Sequence, residues 1–355
     1  MRSFAFLRAR ALWYFALLAL LLCGCGEEEQ ARTASPSTPS PPPVEKVTFM
    51  AGFKAQANLP FVGVYVAKER GFFREQGLEV EIQHSTGGGQ HVQLLLSGDV
   101  QFTTADAANV LQRVADPGIP LVAVALIGQT GQQGWVTLAD SGLDEPTDWA
   151  GKTVGYRGTV PPDLLAILKA NGMTLDDVNE VNVGYQPPQL LVEGRVDVYP
   201  VFLSNEPDII RRKLGREVNV FRASDYGMPT LGLTYVTTED YMQEHPETVE
   251  RFLRAVLRGI TWARDNRDEA VDIVLKYASG EEREHQRFML DAELEAAESD
   301  VTAEHGIGWQ TEEQWQSLHD ALIEFGALAE PVDVNAAFYN EFLRVIYEGG
   351  GADSP

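Results

Sequence analysis

The sequence predicts an α/β fold, and two features of its hydrophobic pattern support that prediction. From residue 47 to residue 202, short apolar runs alternate with amphipathic stretches, which is typical of largely parallel sheets covered by helices. After residue 238 the pattern becomes almost wholly helical. A weak internal repeat, LLLSGDVQF at 94–102 and LLVEGRVDV at 190–198, fits two similar halves, although two generic helix–strand junctions could share this pattern by chance.

Each element is predicted from its own local signal. Residues 78–82 alternate strictly between apolar and polar, which is strand periodicity, whereas the continuous apolar run of 121–127 fits a buried central strand. A proline opens the helix predicted from residue 60, since its missing N–H costs nothing in a first turn. In chain order, the predicted strands are 47–51, 78–82, 100–104, 121–127, 153–156, 181–183 and 196–202, and the predicted helices are 60–69, 90–96, 162–171, 190–192, 249–264, 269–277 and 312–325.

The N-terminus carries the features of an export signal. Three arginines precede an apolar run, residues 11–22, that is shorter than a membrane span of about 20 residues. The run ends in Cys23-Gly24-Cys25, which resembles the bacterial lipobox, where a small residue precedes the lipidated cysteine. Gly24 fits that small position, so residues 1–24 are predicted to be a lipoprotein signal peptide and Cys25 the lipidation site. An uncleaved anchor helix is the alternative.

A tether follows. Residues 25–46 include SPSTPSPPP and almost nothing apolar, so they cannot bury enough surface to order themselves. We expect a disordered linker that joins a lipid anchor in the cell membrane to an extracytoplasmic domain beginning near residue 47.

Composition excludes several classes of function. The chain has 52 acidic and 28 basic residues and a formal net charge of −24, which argues against nucleic acid as a partner, because phosphate binding needs clustered Lys and Arg. Cys23 and Cys25 are its two cysteines. The folded domain therefore has no thiol for a disulfide, a thiolate metal site or a nucleophile.

Residues 66–80, VAKERGFFREQGLEV, resemble the hallmark of the ThiY/SsuA-like branch of the type 2 periplasmic-binding proteins. Residues 95–100 and 148–155 are similar to that branch too, and the resemblance covers about residues 47–345. It implies a two-lobed type 2 periplasmic-binding protein fold with a ligand cleft between the lobes, and a solute-binding role in an ABC importer. The implied lobes are 47–138 with 235–347, and 139–234.

The resemblance also bears on the ligand. Residues 58–67, NLPFVGVYVA, and 199–207, YPVFLSNEP, resemble the riboflavin-binding RibY-type members of the branch. Members that bind thiamine pyrimidines carry a Trp or an Asn-Xaa-Asn-His pattern after the first strand, and residues 52–61 have neither. A sulfonate or nitrate receptor should show a basic or serine-rich helix start at the cleft. Riboflavin is therefore the expected ligand, with a thiamine pyrimidine precursor of the formylaminopyrimidine or hydroxymethylpyrimidine type as the alternative.

The candidate ligand residues lie where predicted strands end, because α/β sheets bind ligands beyond the carboxyl ends of their strands. They combine rings that can stack on a flat heteroaromatic ligand with amides and carboxylates that can bind its polar edge. They are Asn58, Phe61, Gln90, Thr104, Asp106, Gln133, Tyr156, Tyr199, Asn205 and Glu206. Any single ring among them is more often part of a core than of a stacking surface.

An enzyme of the same fold is the rival from another class. Some relatives make the thiamine pyrimidine with a histidine and pyridoxal phosphate, and His84 and His91 lie near the corresponding region. Those enzymes carry a cysteine-rich segment, which this domain lacks, and no Ser-His-Asp set, P-loop or histidine pair with metal-ligand spacing is found. We expect a monomeric binding protein without catalytic residues, cofactor or metal, whose partners are a small ligand, an ABC permease and the membrane lipid.

Overall fold

The computed structural model describes residues 44–87, 89–116, 119–184 and 186–349. The predicted signal peptide, Cys25 and most of the predicted linker lie outside these residues. Within them, no helix combines the length and the apolar character that crossing a bilayer requires.

Strands and helices alternate over the first part of the described chain, and helices take over afterwards. In chain order, the strands are β1 Glu45–Ala51, β2 Leu78–His84, β3 Phe102–Asp106, β4 Leu121–Leu126, β5 Gln133–Leu138, β6 Thr153–Tyr156, β7 Asn179–Asn182, β8 Tyr199–Phe202, β9 Val218–Arg222 and β10 Leu233–Thr238. The α-helices are α1 Leu59–Glu69, α2 Phe72–Glu75, α3 Gln90–Leu96, α4 Ala107–Val114, α5 Pro162–Ala170, α6 Gln189–Val192, α7 Glu206–Leu214, α8 Glu239–Glu244, α9 Pro246–Asp265, α10 Arg267–Tyr277, α11 Arg283–Ala296, α12 Asp300–His305, α13 Glu312–Glu324 and α14 Glu341–Glu348. The α/β class is confirmed.

The first sheet has the strand order β2-β1-β3-β10-β4. β1 runs parallel to β2 and β3, whereas β10 is antiparallel to both of its neighbours, β3 and β4. Its core is aromatic: the ring of Phe252, from α9, stacks on Phe102 with centroids 3.9 Å apart and also contacts Phe49 and Tyr235. This sheet and the helices α1, α9, α10 and α11, which share its core cluster, form what we call lobe 1.

Lobe 1 depends on a close helix contact between α1 and α9. A Cβ built on Gly259 would lie 2.3 Å from the carbonyl oxygen of Gly63, so the two helices touch backbone to backbone. Only glycine allows this approach, and it fixes the position of α1, whose N-terminus belongs to the site described below.

The second group of strands, which we call lobe 2, contains a three-stranded antiparallel sheet, β8-β5-β9, and the parallel pair β6-β7. A bridge between Val154 and Val198 connects the two. The prediction of largely parallel sheets therefore fails for this lobe. The reason is that β5 pairs antiparallel with both β8 and β9, and neither β5 nor β9 is among the predicted strands.

The chain changes sheets between β4 and β5, and it returns just before β10. Residues 133–138 thus pair with lobe 2, which corrects the predicted lobe 1 boundary at residue 138. β4 and the middle of β5 are both buried, so no local signal marks the change of sheet. At the other end of the domain, β1 begins at Glu45, inside the predicted linker, because Glu45 pairs with Leu78 and forms an ion pair with Arg251.

The two crossing segments touch through glycine. The N–H of Gly232 donates to the carbonyl oxygen of Gly128 at 2.8 Å, and the N–H of Gly128 donates to Leu233 at 3.0 Å. A Cβ built on Gly128 would lie 2.9 Å from the Cα of Gly232. At these two glycines the crossing segments are therefore joined backbone to backbone by hydrogen bonds.

Candidate functional site

The site lies where strand ends of lobe 1 and lobe 2 approach each other. In lobe 1, β1 leads into the loop 52–58 and β3 ends at Asp106. In lobe 2, β6 ends at Tyr156 and β8 ends at Phe202. The predicted ligand residues lie at or near such strand ends, and their contacts are as follows.

Asn58 lies at the start of α1 and is buried with 3% of its surface exposed. Its Nδ2 donates to Oε1 of Glu293 at 3.0 Å, and the backbone N–H of Leu59 donates to Oε2 of the same carboxylate at 3.1 Å. The hydroxyl of Ser204, from lobe 2, donates to Oε1 of Glu293 at 2.8 Å. Glu293, a residue of α11 absent from the predicted site, thus connects both lobes.

The environment of Glu293 has opposing effects on its pKa. Burial raises the pKa, since only 6% of the residue is exposed, and the nearby charge of Asp106 acts in the same direction. The hydrogen bonds from Ser204, Leu59 and Asn58 stabilise the charged form and lower it. Burial prevails, and the net shift is upward.

Asn205 contacts a second residue of α11. Its Oδ1 lies 3.0 Å from Nε2 of His285, and Oδ2 of Asp208 lies 2.9 Å from Nδ1 of the same ring. His285 is 3% exposed and Asp208 is 2% exposed. Asp208 also accepts a hydrogen bond from Nε of Arg212 at 2.9 Å. The amide of Asn205 therefore contacts α11 in this structure.

Glu206 and Tyr199 share one arginine. Oε1 of Glu206 accepts from Nη2 of Arg157 at 2.7 Å, and its Oε2 accepts from the N–H of Phe202 at 2.7 Å. The guanidinium of Arg157 lies 5.7 Å from the centroid of the Tyr199 ring. Tyr199 is fully buried, its hydroxyl donates to the carbonyl of Gln186, and burial raises its pKa. Its ring packs inside lobe 2.

Two carboxylates from opposite lobes are left with little compensation. Asp106 ends β3, and Asp163 lies in the first turn of α5; both side chains are half-buried. Burial raises the pKa of Asp106 to about 6. Burial also raises the pKa of Asp163 to about 6, with a further contribution from the charge of Asp106. No side-chain hydrogen bond of Asp106 is found in the described part of the chain.

Thr104 and His91 lie beside the start of the loop 52–58. The N–H of Gly52 donates to Oγ1 of Thr104 at 3.2 Å, and a Cβ on Gly52 would approach both Oγ1 of Thr104 and Nε2 of His91. Nδ1 of His91 is buried without a hydrogen-bond partner among the described residues. Burial is the main reason that the pKa of His91 is lowered.

The structure does not gather every predicted residue at this place. Gln90 is exposed at the start of α3, and Gln133 is exposed at the start of β5. Phe61 is 2% exposed and belongs to the core of lobe 1. Tyr156 is half-buried, which leaves part of its ring accessible, unlike the rings of Phe61 and Tyr199.

Four polar residues of the site were missed by the sequence argument. Arg157 directly follows a predicted strand, so the strand-end rule could have included it. Asp163 starts a predicted helix, where an acidic residue has the ordinary role of complementing the helix dipole. His285 and Glu293 lie in a helix that was not predicted separately, and nothing in their neighbourhood marks them as interlobe residues.

Comparison with known proteins agrees with this architecture. A family model described as NMT1/THI5 like matches residues 58–270. The riboflavin-binding protein RibY of Chloroflexus aurantiacus is 28% identical over 95% of this chain and 98% of its own. The formylaminopyrimidine-binding protein of Halalkalibacterium halodurans is 30% identical over 91% and 96%.

More distant matches include enzymes and solved structures. A 4-amino-5-hydroxymethyl-2-methylpyrimidine phosphate synthase of Saccharomyces cerevisiae, THI13, is 26% identical over 61% of this chain and 66% of its own. The periplasmic aliphatic sulphonate binding protein SsuA from Escherichia coli superposes with a TM-score of 0.62 at 15% identity, over 85% of this chain and 93% of that one. At that identity the likeness shows the fold alone, and it confirms the two-lobed periplasmic-binding fold.

Proposed function

The chain belongs to the NMT1/THI5-like family, and on that premise we propose that it is the solute-binding component of an ABC importer for riboflavin. One observation carries the proposal: strand ends of two lobes meet around carboxylates, amides and a partly accessible tyrosine. That observation is supported by the match to a riboflavin-binding protein over nearly the whole length of both chains.

The charges at the site favour an uncharged ligand. The charge of Asp106 contributes to the raised pKa of both Asp163 and Glu293, so Asp106 lies near both of these carboxylates between the lobes. Arg157 is the nearby cation, and it is paired with Glu206 at 2.7 Å. An anionic ligand such as a sulfonate would meet repulsion here, whereas a ligand that presents N–H and O–H donors would find acceptors. Riboflavin has a flat ring with an imide N–H and a chain of hydroxyls, which fits this pattern.

Among the predicted rings, Tyr156 is the one that we propose to stack on the isoalloxazine. It ends β6, is half-buried and lies next to Arg157 in sequence. Asp106 and Thr104 offer acceptors from lobe 1. Asn58, Asn205 and Glu206 support the site through the contacts with Glu293, His285 and Arg157.

A thiamine-type aminopyrimidine is the second candidate. The half-buried carboxylates favour it, because an exocyclic amino group donates hydrogen bonds to such acceptors. The relative from Halalkalibacterium halodurans, named for binding formylaminopyrimidine, matches at 30% identity over nearly its full length. The synthases match over a smaller part of both chains, so binding rather than catalysis is the proposed role.

The setting of the importer completes the proposal. Lipidation at Cys25 tethers the protein to the extracytoplasmic side of the cell membrane, and the linker lets the domain reach the permease. The domain works as a monomer, and the closed lobes deliver the ligand.

The test is a titration of riboflavin fluorescence. The mature chain, residues 25–355 with Cys25→Ser, is dialysed from denaturant to remove carried-over ligand and refolded. Quenching that saturates near one equivalent is expected. Absence of quenching from protein shown to be folded contradicts riboflavin, and calorimetry with the aminopyrimidine then tests the second candidate.

A further inference from the structure

The helix α11 contacts three parts of the molecule that must move relative to each other during ligand capture. Its apolar face, with Met289, Leu290 and Leu294, belongs to the core cluster of lobe 1. Its polar face contacts lobe 2. At its end, the carbonyl oxygen of Ala296 accepts from the N–H of Thr130 at 3.1 Å, in the crossing segment between the lobes.

Two buried polar residues of α11 make the contact with lobe 2. Glu293 accepts from Ser204, and His285 lies at hydrogen-bond distance from Asn205 and Asp208. Both residues are at most 6% exposed. Eight residues, or about 12 Å of helix, separate them, so the two contacts grip lobe 2 at separate points.

Glu293 also anchors the end of the loop 52–58, where α1 begins. The same carboxylate that accepts from Ser204 accepts from Nδ2 of Asn58 and from the N–H of Leu59. The side chain of Gln286, the residue after His285, accepts from the N–H of Ala57 at 2.8 Å. The loop 52–58 and lobe 2 are therefore held by the same face of one helix.

We infer that Glu293 and His285, together with Ser204, Asn205 and Asp208, form a clasp that holds the two lobes closed by contacts between protein groups alone. This goes beyond the proposed function, since it concerns how closure is held and not which ligand is captured. When lobe 2 moves away, the Ser204 bond breaks and buried polar groups must be solvated again. The positioning role belongs to Glu293, because it orients the loop 52–58 and lobe 2 with one carboxylate.

The clasp predicts that the wild-type protein populates the closed arrangement in buffer alone. Spin labels at Lys152→Cys in lobe 2 and Gln243→Cys in lobe 1, both exposed, measure the distance between the lobes in residues 25–355 with Cys25→Ser. The two introduced cysteines are then the sole thiols available for labelling, since the native cysteines are Cys23 and Cys25. The distribution is recorded with and without riboflavin.

Glu293→Gln is the decisive variant. The amide has nearly the shape of the carboxylate but brings an N–H donor to a place where three donors already converge. We expect its distribution in buffer to shift to longer distances, and riboflavin to dissociate about tenfold faster than from the wild type. The matched control is Glu295→Gln, an exposed residue on the same helix, which should reproduce the wild type.

The variant Ser204→Ala distinguishes the contact of Glu293 with lobe 2 from the contacts that Glu293 makes inside lobe 1. It removes the bond that Ser204 makes to Glu293 across the lobes and leaves the bonds of Glu293 to Asn58 and Leu59 intact, so a smaller shift in the same direction is expected. A wild-type distribution in buffer equal to that of folded Glu293→Gln overturns the clasp, as does a Ser204→Ala distribution identical to the wild type. If riboflavin does not bind any of the proteins, the proposed ligand is wrong, while the distances measured in buffer still decide the clasp.

Discussion

Two neighbouring parts of the interface between the lobes, the clasp and the strand ends, supply their carboxylates with different numbers of hydrogen-bond donors. At the clasp, Glu293 is surrounded by three donors and connects loop, helix and lobe 2. At the strand ends, Asp106 and Asp163 are half-buried, and burial raises the pKa of each to about 6. A satisfied carboxylate holds structure together, whereas an unsatisfied one costs folding free energy and gains a partner only when something else supplies donors. This contrast distinguishes the clasp, which we infer to hold the lobes closed, from the strand ends, which we propose to bind the ligand.

The largest effect is expected from Glu293→Ala at the clasp. It leaves the N–H of Leu59, the amide of Asn58 and the hydroxyl of Ser204 without their acceptor. We expect the free energy of unfolding to fall by about 2–4 kcal/mol, measured by urea denaturation at pH 7.5. Glu295→Ala, at an exposed position, should stay within about 0.5 kcal/mol of the wild type. If both variants lose the same free energy of unfolding, the hydrogen bonds of Glu293 contribute no more to stability than those of an exposed residue.

The variant His285→Ala tests the second contact of the clasp, which His285 makes with Asn205 and Asp208. Asp208 and Asn205 each lose one partner, but Asp208 keeps its contact with Arg212, so the expected loss is about 1–3 kcal/mol. The same urea measurement applies, with Glu284→Ala, exposed on the same helix, as control. A loss below that of the control would mean that α11 contacts lobe 2 without stabilising it.

Tyr156→Ala tests the binding end. If its ring stacks on the ligand, riboflavin affinity should fall by about 1–2 kcal/mol, or roughly 5- to 30-fold, with little change in thermal stability. Tyr199→Ala is the contrasting variant. Its ring is fully buried in lobe 2, so we expect a lower melting temperature rather than a specific loss of affinity. Unchanged binding by Tyr156→Ala would remove that residue from the site.

The smallest effect is a pH-dependent one at Asp106. Its pKa in the folded protein, about 6, lies above its ordinary value of 3.8, so the folded state binds the proton more tightly than the unfolded state. The destabilisation of the folded state by the charged Asp106 carboxylate is complete above about pH 6, and it disappears as the pH falls towards 4. Asp106→Asn should therefore be more stable than the wild type at pH 8, by on the order of 1 kcal/mol given the half-buried position, and equal to it near pH 4. A constant difference across thermal melts from pH 4 to pH 8 would contradict this sign.

Much of lobe 1 could be predicted from the sequence, because its strands carry strong local signals. Residues 78–82 alternate strictly, residues 121–127 are continuously apolar, and both form strands of the first sheet. Lobe 2 was predicted less well, since the pairing of β5 with β8 and β9 depends on segments that are distant in sequence.

The site shows the same limit. The strand-end rule leads to Asp106 and Tyr156, which end β3 and β6 in the structure, because that rule follows from topology; their role in binding stays a prediction. Burial cannot be read from residue type, and so Tyr199 and Phe61 were expected at a ligand surface but lie within cores. Glu293 could not be found at all, since its partners lie 235 and 89 residues away along the chain.

The glycine crossing between the lobes has a consequence for how slowly parts of this protein exchange their amide protons with solvent. The amides of Gly128 and Gly232 bond backbone to backbone inside the pivot itself, so a rotation of the lobes need not break either bond. The amides at the clasp side, such as those of Ala57 and Leu59, are bonded to side chains of α11 instead. Each opening on the microsecond-to-millisecond scale takes Ser204 away from Glu293 and lets water reach the carboxylate that holds the Leu59 amide. The amides of Gly128 and Gly232 would thus keep their protons through many cycles of capture and release. Their slow hydrogen exchange gives a reference rate against which the exchange of other amides in the molecule can be compared.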